Sequence, residues 1–341
     1  MPGPLVVYGA YGFTGELVAR RAAERGLAPV LAGRDSERLA RLGRELGCGW
    51  RAFPLSDPEA LRRGIAGAAA VIHCAGPFTA TARPMAEACV DERVHYLDIT
   101  GEVAVFEALL ALGPGAANVG VMLLPGAGFD VVPSDCLAAH LVRRLPAARS
   151  LVLAIVGFDR PSRGTARTML EHAGAAARFR SGGAPAKRTF DLGAGRVTGV
   201  AVPWADTFTA PRSTGVSDVT VYLVANLATR ALLAAAPALA PLLSSRTVRE
   251  AVAALMTRGE RGPGPDAQGR SAIYGEAIDA AGRRVAAIQR HPGGYAFTAM
   301  TAVEIAERVL RGEARPGWQT PSTAYGPDLV LAVPGATRED L

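Results

Sequence analysis

The sequence predicts an α/β protein: a doubly wound parallel sheet, with an α+β domain on a mixed or antiparallel sheet inserted into it. Three observations carry that expectation. Short apolar runs alternate with amphipathic stretches through roughly the first 125 residues, the rhythm of βαβ units. The first apolar run, Leu5-Val6-Val7-Tyr8, passes directly into a glycine-punctuated turn and then a helical pattern. Beyond Pro125 the rhythm gives way to longer segments with period-two alternation, as in strands buried on one face.

In chain order, the parallel strands are expected at residues 5–8, 29–32, 51–53, 70–74, 95–98 and 120–124. Helices are expected between them at 15–25, 36–46, 58–65, 84–91 and 103–112. Right-handed crossovers would join these six strands into one sheet. A helix is expected over 134–144, after Pro133 and ended by Pro146. Residues 150–156 and 218–224 read as strands. Residues 271–279 and 283–290 flank Ala280-Ala281-Gly282 as a hairpin. Residues 258–270, rich in Gly, Pro and charge, read as an exposed loop. Helix returns at 299–311, and the last thirty or so residues read as coil. The expected division is 1–130, completed by 299–341, with 131–298 as an inserted domain for substrate and oligomerisation.

Composition narrows the function. The chain is 49% apolar and 20% charged, so it can bury a core and is not disordered. Its net charge is +6, but Lys187 is the only lysine and the arginines are scattered, with no basic run interleaved with aromatics. That pattern speaks against nucleic acid and suits attraction of an anionic small molecule. Cys48, Cys74, Cys89 and Cys136 form no C-x-x-C, and the five histidines form no metal-binding spacing, so no metal site is expected. The cysteines read as free thiols in a reducing, cytoplasmic setting. The first strand begins within a few residues of Met1, which leaves no room for a signal peptide. The most apolar stretch, 227–243, carries Arg230, Pro237 and Pro241. It falls short of the about 20 apolar residues a bilayer span needs. It reads as helices in a core or an oligomer interface, consistent with a homodimer, and not as a membrane contact.

The turn Y-G-A-Y-G-F-T-G occupies residues 8–15. Gly9 permits a tight exit from the strand, Gly12 lets bare backbone approach phosphates, and Gly15 lets the helix pack close to the strand. The helix N-terminus offers N–H groups and partial positive charge to an anion. The spacing is G-x-x-G-x-x-G rather than G-x-G-x-x-G, but strand and helix context agree on a dinucleotide site in a Rossmann domain. Gly9, Tyr11, Gly12, Phe13, Thr14 and Gly15 are its expected contacts; the competing reading is a glycine-rich turn that binds nothing. The second strand ends L-A-G-R-D-S-E-R-L. Arg34 there is placed to fork onto a 2′-phosphate, with Arg38 as a second cation, which selects NADP over NAD. Asp35 competes as a ribose ligand but also stands where a helix N-cap is expected. Asp57 is balanced between an adenine contact and the N-cap of the next helix. The fourth strand ends H-C-A-G-P-F, and Cys74, Ala75, Gly76, Pro77 and Phe78 are expected at the nicotinamide end; His73 reads as a core residue.

Carboxylates stand at later strand ends: Asp98 and Glu102, then Asp130 and Asp135. Each competes with a structural role as a cap or a loop tie. Asp98 and Asp130, together with His172 on a helical pattern, are the catalytic candidates. Thr165, Thr168, Trp204 and Asp206 are candidate substrate-side residues, and Arg163 or Arg167 could hold an anionic group.

Together these segments resemble the saccharopine dehydrogenase-like oxidoreductases, in particular the branch that includes the trans-acting enoyl reductases. The resemblance rests on G-A-Y-G-F-T-G at 9–15, A-G-R-D-S-E-R-L at 32–39, C-A-G-P-F at 74–78, Y-L-D-I-T-G-E at 96–102 and P-G-A-G-F-D-V-V-P-S-D at 125–135. R-G-T-A-R-T at 163–168 and G-Y-A-F-T-A at 294–299 continue the order. It implies a nicotinamide-binding Rossmann domain closed by the C-terminal helix, with an inserted α/β domain. It also implies that Gly12, Phe13 and Thr14 contact the pyrophosphate, with Arg34 at the adenosine phosphate and residues 75–78 at the nicotinamide. Such enzymes act on C=N, C=C or C–N bonds of quite different molecules. The expected activity is NADPH-dependent hydride transfer to a C=C or C=N bond of a small organic substrate, in a biosynthetic pathway. The alternative is a non-catalytic NADP-binding sensor or scaffold.

Overall fold

The computed structural model describes residues 3–156, 180–181, 184–192, 195–224 and 271–341. They divide into two compact units, Met1–Cys136 with Gly294–Pro334, and Leu137–Gly293 with Gly335–Leu341.

The first unit is a parallel sheet with helices between its strands. The strands are β1 (Leu5–Tyr8), β2 (Val30–Gly33), β3 (Trp50–Ala52), β4 (Ala70–His73), β5 (His95–Asp98) and β6 (Met122–Leu124). The helices are α1 (Phe13–Glu24), α2 (Ser36–Leu46), α3 (Pro58–Ile65), α4 (Phe78–Asp91) and α5 (Val103–Asn118). Further along the chain, β15 (Gly317–Trp318) joins the same sheet, giving the order β15-β6-β5-β4-β1-β2-β3. Every pairing is parallel. β1 and β4 lie side by side, with Leu5 opposite Ala70 and Tyr8 opposite His73, and every residue of both is buried. Unbroken apolar runs are what strands covered on both faces require. β3 forms one edge and leaves Trp50 exposed. Val6, Tyr8, Phe53, Leu61, Val71, Met85, Tyr96 and Leu109 belong to one buried cluster on this sheet.

The helix starts follow local chemistry in two cases and tertiary chemistry in a third. Asp35 caps α2 by accepting from the Arg38 backbone N–H, and Asp57 caps α3 by accepting from Glu59 and Ala60. α4 begins at Phe78 rather than at the expected residue 84. Its first N–H groups are accepted by Glu102, a residue remote in sequence, so no local cap announces the start. α5 runs past the expected residue 112 and carries Pro114 inside it. Two more helices complete the unit, α8 (Gly294–Leu310) and α9 (Pro321–Tyr325), where the sequence suggested a later helix start and coil. Arg25 at the end of α1 holds Glu307 of α8 through two bonds of 2.6 and 2.7 Å.

The chain passes into the second unit along α6 (Val132–Arg144), whose start precedes the expected residue 134. The second sheet has the order β10-β11-β12-β7-β13-β14-β16. Its strands are β7 (Ala148–Val156), β10 (Lys187–Asp191), β11 (Arg196–Ala201), β12 (Asp218–Val224), β13 (Ser271–Asp279), β14 (Arg284–His291) and β16 (Thr337–Asp340). The pair β7–β12 is parallel and the remaining neighbours are antiparallel, so the sheet is mixed. β8 (Arg180–Ser181) and β9 (Ala184–Pro185) form a separate short ribbon. The β13–β14 hairpin turns through Gly282 at φ +80°, a conformation that favours glycine. Gly275 of β13 has no room for a Cβ, because Leu141 and Leu137 press on it. β10, β11 and α7 (Asp206–Thr214) have no counterpart among the expected elements.

The tail is the main revision of the sequence-based picture. Instead of coil, it supplies β15 as a seventh strand of the first sheet and β16 as an edge strand of the second. Residues 335–341 therefore lie with the second unit rather than completing the first. Two residues suffice for β15 because Gly317 and Gln319 donate to carbonyls of Val121 and Leu123. The 227–243 and 258–270 stretches lie outside the described residues. Among the described residues, no helix is long and apolar enough to cross a membrane.

Candidate functional site

The turn between β1 and α1 is shaped by its glycines for separate reasons. Gly9 leaves the strand at φ +82°, and a Cβ on it would meet the Ala75 Cβ at 2.9 Å. A Cβ on Gly15 would run into the Gly9 carbonyl, so the helix can lie this close to the strand only without a side chain there. Gly12 has an ordinary φ of −76° and would meet only the Gly9 oxygen, at 3.2 Å. It is the N-cap of α1, and no side chain caps that helix. The turn is thus held from inside by Gly9 and Gly15, with the Gly12 N–H donating to the Gly9 carbonyl at 2.9 Å, while the N–H groups of Phe13 and Thr14 beyond it are available to an anion. Thr14 is half-buried, and Phe13 is 43% exposed with its ring edge-on to Tyr295 at 5.1 Å.

Tyr11 links this turn to the end of β2. Its ring fills the space where a Gly33 Cβ would stand, 2.6 Å from the nearest ring carbon. The Arg34 backbone N–H donates to the Tyr11 hydroxyl at 3.1 Å. Arg38 donates to the Tyr11 carbonyl at 2.9 Å and lays its guanidinium 4.5 Å from the ring centroid. The Arg34 guanidinium is exposed and makes no hydrogen bond or ion pair among the described residues. Asp35 spends its carboxylate on the α2 cap, which favours the cap over the ribose role.

Residues 74–78 follow β4, beside the turn. The Cys74 N–H donates to the Tyr8 carbonyl, and the Thr81 hydroxyl ties the carbonyls of Ala75 and Pro77 at 2.7 and 3.0 Å. Gly76 and Pro77 are exposed, and Phe78 is half-buried. Burial raises the Cys74 thiol pKa far above its usual range, so the thiol stays protonated. His73 is fully buried among Tyr8, Phe78 and Tyr96, with both ring nitrogens lacking a hydrogen-bond partner. Burial pushes its pKa down to about 3, so the ring is neutral at physiological pH.

The carboxylates divide by occupation. Asp98 is fully buried and accepts from Thr100 N, Gly126 N and the Tyr96 hydroxyl at 2.9, 2.9 and 2.7 Å. It ties the ends of β5 and β6 together, and burial raises its pKa to about 6. Glu102 accepts from Phe78 N and Thr79 N at 3.3 and 2.9 Å. Asp135 is buried inside α6 and accepts from Ser322 N at 2.7 Å, while the Ser134 hydroxyl donates to the Val131 carbonyl. Neither caps the helix. Asp130 is half-buried, and its carboxylate lies where a Gly101 Cβ would stand. Burial, and then the charge of Glu102, raise its pKa to about 6. A carboxyl group in that range can hold and release a proton near neutral pH.

Of the remaining candidates, Asp206 is buried in the first turn of α7, and the Trp204 carbonyl accepts from Thr207. Arg163, Thr165, Arg167, Thr168 and His172 lie outside the described residues. Among the described residues, no group of His, Cys, Asp and Glu could hold a metal ion. Three features escaped the sequence reading: the Tyr11–Gly33 contact, the Glu102 cap on α4, and Tyr295 against Phe13. Only the last left a trace, as the G-Y pair at 294–295.

Residues 5–124 match the family model described as the saccharopine dehydrogenase NADP binding domain. This part of the chain is similar to that NADP-binding domain. The trans-acting enoyl reductase of Mycobacterium bovis is 36% identical to the chain over 148 residues, spanning 41% of this chain and 35% of that protein. The Mycobacterium leprae protein of the same name is 36% identical over 149 residues, spanning 41% and 36%. The chain thus matches about a third of the length of these relatives. Apo saccharopine dehydrogenase (L-Glu forming) from Saccharomyces cerevisiae superimposes over 99% of this chain and 100% of its own, at a TM-score of 0.62 and 12% identity. That likeness shows a shared fold. In the matched segment the Gly9–Gly15 turn fits a dinucleotide, since its outer side is free of side-chain caps while its inner side is closed by backbone.

Proposed function

We propose that the protein is an NADPH-dependent oxidoreductase acting on a C=C or C=N bond of a small organic substrate. The observation that carries this reading is the bare, uncapped N-terminus of α1 at Gly12, set beside an Arg34 whose guanidinium is uncommitted among the described residues. The N–H groups of Phe13 and Thr14, beside the Gly12 backbone, would hold the pyrophosphate, and Arg34 and Arg38 the 2′-phosphate. Residues Cys74 to Phe78 would line the nicotinamide end, with the Ala75 and Pro77 carbonyls fixed by Thr81. Asp57 contributes as a cap on α3 and would leave its second carboxylate oxygen to the adenine end. The chemistry that the reduced nicotinamide supplies is hydride transfer. For the accompanying proton, Asp130 is the favoured donor of the carboxylates, being half-buried and raised to about 6 by burial and then by the charge of Glu102. The enoyl reductase relatives favour an activated alkene among the possible substrates.

Calorimetric titration with NADPH and NADH, followed by NADPH oxidation with a panel of enoyl and imine compounds, tests the proposal. NADPH binding in preference to NADH, with turnover on at least one compound class, is the expected outcome. Failure to bind either cofactor overturns it. The sensor or scaffold reading is favoured by the structural use of Asp98, Glu102 and Asp135, each accepting backbone hydrogen bonds. Tight NADPH binding with no turnover on any compound would support that reading.

A further inference from the structure

The Tyr11 side chain stands at the meeting point of the two arginines expected to face a 2′-phosphate. Its contacts are directional. The ring covers Gly33, the hydroxyl accepts from the Arg34 backbone N–H at 3.1 Å, and the ring face carries the Arg38 guanidinium at 4.5 Å. Arg38 is fixed a second time by donating to the Tyr11 carbonyl at 2.9 Å, and its own backbone N–H is taken by Asp35. The Tyr11 hydroxyl proton has no acceptor among the described residues. An exposed arginine ordinarily samples many rotamers, and ordering it costs free energy when a ligand binds. Here one guanidinium is already parked on an aromatic face, and the backbone carrying the other is pinned.

We infer that Tyr11 is a positioning residue for cofactor selectivity: it preorganises Arg38 and the Arg34 segment to receive a 2′-phosphate, and so favours the phosphorylated dinucleotide. The inference rests on the reading that these arginines face that phosphate. Tyr11 lies in the glycine turn after β1, the strand beside β2, and acts through the arginines at the end of β2. Gly33 is part of the same device, because any side chain there would displace the ring.

Three variants separate this from a role in shaping the turn: Tyr11→Phe, Tyr11→Leu and Arg38→Met. Affinity is measured by calorimetry for NADPH and NADH, and for the half-molecules 2′,5′-ADP and 5′-AMP, which never touch the nicotinamide end. Tyr11→Leu should weaken NADPH and 2′,5′-ADP about tenfold, and NADH and 5′-AMP less than about twofold, as expected for a lost cation–π platform and the lost hydroxyl bond to the Arg34 backbone N–H. Arg38→Met should give the same selective loss of about tenfold while leaving the turn intact, which guards against misfolding of Tyr11→Leu. Tyr11→Phe keeps the ring and should lose only about threefold, again for the phosphorylated ligands alone. Equal weakening of phosphorylated and unphosphorylated ligands, or none, overturns the inference. If the wild-type protein prefers NADPH and Tyr11→Leu keeps that preference, the positioning role fails and the cofactor assignment stands. If the wild-type protein shows no preference, both fail.

Discussion

Two ends of the same parallel sheet treat backbone hydrogen bonds in opposite ways. At the tip of β1 the chain turns through glycines, and the helix that follows has no side-chain cap. At the tips of β5 and β6, carboxylates take up the free N–H groups: Asp98 those of Thr100 and Gly126, Glu102 those of Phe78 and Thr79. The second region is complete in itself, whereas the first has no side chain to accept from its leading N–H groups. Free N–H groups at a helix start attract negative charge; at α2, α3 and α4 a carboxylate of the chain supplies it, and at α1 no side chain does. A carboxylate at a strand end is therefore weak evidence of catalysis.

Substitutions can break this contrast from either side. The largest expected effect is at Gly15. Gly15→Ala drives a Cβ into the Gly9 carbonyl, so NADPH and NADH binding should both fall by about 3 kcal/mol or more, read by calorimetry alongside a folded far-UV spectrum. Next is Arg34→Ala, which should cost about 1.5–3 kcal/mol of NADPH affinity and leave NADH nearly unchanged. Equal losses would remove Arg34 from the phosphate clamp. On the other side, Glu102→Ala should lower stability to urea by about 1–2 kcal/mol, because it leaves the α4 N–H groups without their acceptor.

A pH experiment sharpens the role of Asp98. Its pKa is raised from 3.8 to about 6, mainly by burial, so the folded chain binds more protons than the unfolded chain between those values. Its contribution to stability therefore falls as pH rises from about 4 to about 6, with the stabilising effect present on the acid side. His73, pushed down to about 3 from 6.5, acts in the opposite direction, lowering stability as pH falls below about 6.5. Asp98→Asn should remove only the first slope, so its urea midpoint should rise more steeply with pH than that of the wild type. The smallest effect is expected at the exposed Arg290–Glu339 pair between β14 and β16, where Arg290→Ala should change stability by about 0.5 kcal/mol or less.

Much of the first unit was legible because its signals are local. Asp35 and Asp57 stand immediately before Ser36 and Pro58, and α2 and α3 have the expected bounds. The run Leu5 to Tyr8 is apolar throughout and sits in the middle of its sheet. α4 was misjudged because its cap comes from Glu102, and Pro84 drew attention to the wrong place. The tail was misjudged because a two-residue strand such as Gly317–Trp318 has no periodicity to read. In the site, the reasons for Gly9 and Gly15 follow from spacing, but the reason for Gly33 depends on where the Tyr11 ring falls.

By itself the sequence determined the order of β1 to β6 and the helices between them, the glycine turn, and the place of Arg34 at the end of β2. These depend on residues adjacent in the chain, whose backbone preferences and spacing act before any packing. Only the tertiary structure decided which carboxylates are consumed as caps and ties, that Tyr11 gathers both arginines, and that the tail is shared between two sheets. Those outcomes depend on hydrogen bonds and contacts between residues far apart in sequence, which form only once the chain has closed around them.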